Sequence, residues 1–340
     1  MTIGQDAKIG LNSYIALFKE TTYGTFPATA ETGASTLEAL NIGFATEVVS
    51  QKLDQISGTR GYTKRVQLDK NVTGTLEQYL HPEESILMVA DALGGGISTS
   101  SVTGAYQHVI SAGNFDTSPI SLSFQVRKGD THHWQYTGGR VNNLTIAANV
   151  GELVKCSYEM VFKDSTQAGS DISSSLSISS VLPFTYVQGT YEYAATEGSL
   201  TSTVAEYING FELAINNNLI SDSGVRALGS NVLQTLAPTR REVTLTITQR
   251  FDTTTAWNRF VEATQGAARL IFEGASISAE HNYKCTLVMP KLFLNSPEPT
   301  IGAPSDILMS EITFDVLVDN PSTSTGKDIE ATFVNATASY

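Results

Sequence analysis

One nine-residue pattern occurs twice in this chain. Val72–Leu80 reads VTGTLEQYL and Val243–Phe251 reads VTLTITQRF, with Val, Thr, Thr and Gln at matching places 171 positions apart. Leu76 falls on Ile247, and Leu80 on Phe251. Each copy alternates apolar or β-branched residues with polar ones, which is the period of a strand with one buried face. A fold that satisfies both copies must build the same strand twice.

A short helix is expected after each copy. HPEESILMVADALGGG places Pro82 near its start and Glu83 and Glu84 in the first turn, where the helix dipole favours anions. DTTTAWNRFVEATQG offers Asp252 or Thr253 as a cap. Gly94–Gly95 and Gly266 are expected to stop the two helices. Ile86, Val89, Ala90 and Leu93 share one face, and the same offset lands on Trp257, Phe260, Val261 and Thr264. Ile86, Val89 and Leu93 are therefore the expected core face of the first helix, and Trp257, Phe260 and Val261 that of the second.

The likeness extends outward. NIGFAT at Asn41–Thr46 parallels INGFELAI at Ile208–Ile215, with Gly43–Phe44 against Gly210–Phe211. A long segment of apolar residues mixed with Gly, Ser and Arg, and with Lys in the first half, then leads to the repeated strand in each half, and a long hairpin is expected there. SLSFQVRKGDTHHWQY reads as a hairpin turning at RKGD, and RLIFEGASISAEHNYKCTLVM reads similarly. Closing strands put Val154, Cys156, Tyr158, Met160 and Phe162 on one face, and Ile312, Phe314, Val316 and Val318 on another.

At 340 residues the chain is long enough for two domains. Asp164–Ser180 is polar and low in complexity, as linkers are. The expected division is 1–170, with an N-terminal arm and an insertion near 96–118, and 171–340. Val, Ile, Thr, Tyr and Phe dominate and turn residues punctuate them, so the expected class is mainly β.

The net charge of −13 removes the cationic clusters that nucleic-acid affinity needs. Cys156 and Cys285 each sit in an apolar run, which reads as small buried hydrophobes in a reducing compartment. No leader peptide is read at the N-terminus, and no apolar run approaches the roughly 20 residues of a membrane span. His132 and His133 are adjacent on a strand and point to opposite faces, a poor chelate. The glycines at 94–96 follow a helix rather than opening one, so they read as a stop and not a phosphate loop. No catalytic, cofactor or metal site is expected, and the chain is read as a non-enzyme.

LFKETTYGTFP, VTGTLEQYL with its helix, GGRVNNLTIAANVGELVKCSYEMVFKD, PFTY, INGFELAINNNL and LAPTRREVTLTITQRFDT, in that order and spacing, resemble the tail tube proteins of long-tailed bacteriophages. The resemblance implies two tandem β-sandwich or barrel domains, each with one short flanking helix and a long hairpin loop. It implies a virion structural protein, assembled in the bacterial host cytoplasm, whose rings stack into a hollow tail tube. The tube encloses the tape-measure protein, meets tail terminator and distal tail proteins, and passes double-stranded DNA without holding it. A sheathless tail is the preferred reading, and a baseplate or receptor-binding tail component is the alternative.

Six domains form a ring in this family, so a duplicated chain is expected to close as a trimer, with a hexamer as the alternative. Leu53, Ile56, Tyr62 and Val66 in the first long hairpin, and Val225, Leu228, Val232 and Leu236 in the second, are candidate contacts between rings. Glu77, on the polar side of the repeated strand, is a candidate for the lumen.

Overall fold

A computed structural model describes residues 13–27, 35–56, 58–94, 96–112, 120–129, 132–168, 178–201, 205–251, 254–296, 299–300, 307–320 and 326–340. The chain is mainly β. In the first half the strands are β1 (Tyr14–Lys19), β2 (Ser35–Leu37), β3 (Ala39–Ile42), β4 (Ala45–Lys52), β5 (Arg65–Tyr79), β6 (Ile97–Val102), β7 (Ala105–Ser111), β8 (Leu122–Lys128), β9 (His132–Asn149), β10 (Lys155–Phe162) and β11 (Asp164–Ala168). Helix α1 (Ile86–Leu93) follows β5. The second half contributes β12 (Gly189–Ala194), β13 (Ala205–Glu206), β14 (Gly210–Asn216), β15 (Glu242–Arg250), β16 (Gly266–Ser276), β17 (Asn282–Ser296), β18 (Pro299–Thr300), β19 (Met309–Val316) and β20 (Glu330–Asn335). Helix α2 (Thr255–Val261) follows β15.

One long antiparallel sheet runs through both halves. From an edge shared by β3 and β4 it passes to β5, β10 and the C-terminal part of β9. It then crosses directly to β14, β15, β19 and the C-terminal part of β17. A second layer lies over one face of each half. Over the first half its order is β2, β1, β8, the N-terminal part of β9, and β11. Over the second half it is β13, β12, β16, the N-terminal part of β17, β20, β7 and β6.

The repeated strands are β5 and β15, and their neighbours repeat too. Leu76 lies opposite Tyr158 on β10, and Ile247 opposite Ile312 on β19. A β-bulge recurs where the long strands change layers: Leu122 and Phe124 face Gly139 and Tyr136, while Gly266 and Ala268 face Leu292 and Met289. β9 bends at Gly138, whose φ of 62° lies in the left-handed region that suits glycine. A Cβ on the next residue, Gly139, would approach the Phe162 ring to 2.8 Å. In the paired strands Ile42 faces Leu76 as Phe211 faces Ile247, two residues away from the alignment of Gly43–Phe44 with Gly210–Phe211. A slip of two leaves every side chain on its own face, so the strand pattern cannot detect it.

Aromatic side chains join the layers. Phe44 and Phe162 from the long sheet meet Phe124 and Tyr136 from the covering layer, with ring centroids 5.1–5.8 Å apart. Phe211 meets Phe272, and Phe314 meets Tyr193, in the second half. Phe162 is fully buried at the centre of the first cluster. Phe162→Ala is expected to lower unfolding free energy by about 3–5 kcal/mol, measured by chemical denaturation.

Several local expectations change. α1 begins after Ser85, so Pro82, Glu83 and Glu84 form a preceding turn instead of its first turn; Glu84 there accepts the Glu38 backbone N–H at 2.9 Å. Gly94 does end α1, with φ of 64°. α2 ends at Val261 and the chain turns at Ala263, φ 47°, while Gly266 opens β16. Asp252 and Thr253 lie outside the described residues. Within the stretch near 96–118, residues 97–111 form the β6–β7 hairpin and 113–118 lie outside the described residues; β7 pairs with β20 at the far end of the sequence.

The helices differ most. Every residue of α1 is buried, Ile86, Val89 and Leu93 included. Trp257, Phe260 and Val261 on α2 are 44%, 37% and 63% exposed. The stripe expected in the core is thus on the surface, because β7 and β20 close over α1 and, among the described residues, nothing comparable closes over α2.

Candidate functional site

The most distinctive surface is the uncovered face of the long sheet. Its residues follow from strand alternation. The row Leu76, Tyr158, Leu144, Ile215, Val243, Val316, Leu292 crosses seven strands from β5 to β17, and every member is buried. The adjacent row is Glu77, Ser157, Thr145, Ala214, Thr244, Asp315, Phe293, and it faces the other way. One continuous face therefore belongs to both halves.

That face is hydroxylated and acidic. Glu77, Glu159, Glu212, Glu311 and Asp315 share it with Thr73, Thr75, Thr246 and Thr313. Lys155 stands among them and pairs with Glu77 at 3.0 Å. Asn143 donates to Glu159 across the sheet at 2.5 Å. Of these acids only Glu77 was expected from the sequence; Glu159 lies between Tyr158 and Met160, Asp315 between Phe314 and Val316, Glu212 between Phe211 and Leu213, and Glu311 directly before Ile312.

The two ends of the sheet carry different surfaces. At the end where β5 begins, β4 and β5 extend as an arm, tied by the Leu53 N–H to the Lys64 carbonyl. Ile56 and Tyr62 project from it, 107% and 64% exposed, and Val66 is exposed while Leu53 is half-buried. The loop between β14 and β15 lies at the same end and grips the base of the arm. Arg226 pairs with Asp69 at 3.6 Å, and the Lys70 N–H donates to the Asn231 carbonyl at 2.8 Å. Leu228 stands at its tip, 108% exposed. Val225 and Leu236 are buried with Leu233 against their own chain, and Val232 is half-buried. The opposite end exposes Val150, Leu182, Val187 and Tyr207.

The described residues hold no group of three or more metal-ligating side chains. His132 is exposed and His133 buried, on opposite sides of β9. Cys156 and Cys285 are buried, and burial pushes the Cys156 thiol up to about 12 and the Cys285 thiol well above its usual range. Neither has the character of a reactive thiolate. Neither α1 nor α2 is long and apolar enough to cross a membrane.

No curated protein matches the chain. A family model described as phage tail tube protein matches residues 10–316, which takes in both repeated strands, both helices and the whole long sheet, and stops at the last residue of β19. With a match over most of its length, the chain belongs to the phage tail tube protein family.

Proposed function

We propose that three copies of this chain close into a ring and that such rings stack into the hollow tail tube. The observation that carries this reading is the joint between β9 and β14. There the two halves meet edge to edge over seven residue pairs, from Asn143–Asn216 to Asn149–Gly210. This is the contact by which neighbouring units of a ring can fuse their sheets. Among the described residues, the β3–β4 edge and the outer edge of β17–β18 have no strand beside them.

The two outer edges are counterparts of the joined ones. Pro299 faces Ser310 on β19 as Ile146 faces Cys156 on β10, so β18 stands where the end of β9 stands. Ala45 faces Thr73 as Ala214 faces Thr244, so β4 stands where β14 stands. Repeating the joint between chains brings β18 beside the β3–β4 edge of the next copy. Two related units per chain then close a six-unit ring with three chains.

In that ring the acidic face lines the bore. Phosphate is repelled over roughly 8–10 Å at ordinary salt, which lets a duplex pass without adhering. The tape-measure protein occupies the same bore during assembly, and the terminator and distal tail proteins meet its ends. The apolar arm and Leu228 at one end of the sheet meet Val150, Leu182, Val187 and Tyr207 at the other as rings stack.

Electron microscopy of the purified chain tests the reading. The expected result is a three-fold ring with six units around a bore and a mass three times the 36.5 kDa chain, in stacks. Six chains per ring would replace the trimer by the hexamer. Discrete particles without a bore would favour the baseplate or receptor-binding alternative.

A further inference from the structure

α1 and α2 follow equivalent strands in unequal surroundings. The second half caps the C-terminal turn of α1: Asn217 donates to the Ala92 carbonyl at 2.8 Å, and Arg241 to the Leu93 carbonyl at 2.7 Å. A cation there also complements the helix dipole. Arg241 is held in place by Asp328 through contacts of 2.8 and 3.0 Å. Among the described residues the C-terminal turn of α2 has no such clamp, and Trp257 and Phe260, 6.0 Å apart, stay exposed.

The first half carries a copy of the Arg241–Asp328 part of this clamp. Lys70 precedes β5's repeated segment as Arg241 precedes that of β15, 171 positions apart. Asp164 is the counterpart of Asp328. Two residues beyond them, Thr166 faces Gln135 and Glu330 faces Val288, each just before the shared bulge at Tyr136 and Met289. Lys70 pairs with Asp164 at 2.5 Å. The pair is more open than its counterpart, with side chains 21% and 32% exposed against 12% and 8%.

We infer that α2 of one copy docks on the first half of the next, with Lys70 at the C-terminal turn of α2 and with Trp257, Phe260 and Val261 covered. The occupant of this apolar face is a second copy, because at the internal junction the following half already brings β20, Asn217 and Arg241 to the same helix position. This rests on the ring reading above. It adds an interaction surface on the outer side of the sheet joint, and it assigns an exposed aromatic pair to lateral contact instead of stacking.

Hydroxyl-radical footprinting of the native chain, comparing the unassembled fraction with assembled rings, tests it. Oxidation of Trp257 and Phe260 is expected to fall several-fold on assembly. Rings in which both residues oxidise at the free-chain rate overturn the inference and leave the ring reading standing. Lys70→Glu, checked for native circular dichroism, is expected to lower ring yield several-fold, and Lys70→Arg to keep it. Equal yield from wild type and Lys70→Glu overturns the clamp. No closed ring in any preparation sinks the ring reading, and this inference with it.

Discussion

Replacing Asp91 with Ala is expected to cost the fold about 3–5 kcal/mol, the usual penalty for removing one partner of a buried ion pair. Asp91 is fully buried on α1 and accepts from Arg140 Nε at 2.7 Å and from the Val141 N–H at 2.5 Å. Both donors sit where β9 leaves the bend at Gly138 and enters the long sheet. Burial pushes the carboxyl up to about 6, with the Arg140 charge pulling it back. The loss reaches beyond the helix. Asn217 bridges the Ala92 and Val141 carbonyls, which ties the second half to this spot. Denaturation at pH 7 measures the cost. Asp91→Leu combined with Arg140→Met is expected to recover much of it, since an apolar pair removes both charges together. A loss below about 1 kcal/mol for Asp91→Ala would place the pair with surface ion pairs and contradict its assigned role.

Leu228→Asp is expected to stop tube growth while leaving a folded, soluble chain, and Ile56→Asp to act in the same way. Both side chains project freely at one end of the sheet, so the isolated fold loses little when they change. In a stacked contact the new carboxylate would be buried without a partner. That costs well over the about 1.4 kcal/mol that corresponds to a factor of ten, so tube length should fall by more than about tenfold. Rings should still form, because the lateral edges are untouched. Tube lengths by microscopy and native circular dichroism decide the matter. Unfolding of Leu228→Asp would instead assign Leu228 to its own core, as burial already does for Val225 and Leu236.

The strand-level content of this fold is written locally. Alternation identified β5 and β15, the buried faces of β10 and β19, and the polar placement of Glu77. Edge choice is not local. Nothing in ISTSSVTGAYQHVIS says that β7 will pair with a strand more than 200 positions away. Nothing in GFELAIN says that it will join β9. The helix stripe shows the same limit. An apolar face on Trp257, Phe260 and Val261 reports that these side chains are to be covered, and is silent on whether the cover lies in the same chain. The unequal loops between equivalent strands hide the repeat further: a constant offset of 171 holds for β5 and β15 and fails on either side.

The hairpin β6–β7 grows from the first half yet extends the outer layer of the second through β20. With the β9–β14 joint it fastens the halves at two separate seams, one in each layer. Shearing one seam leaves the other intact, so a single subunit behaves as a stiff block. In the proposed tube, the strain of bending would then fall at the boundaries between molecules, and the bore would keep its calibre within each.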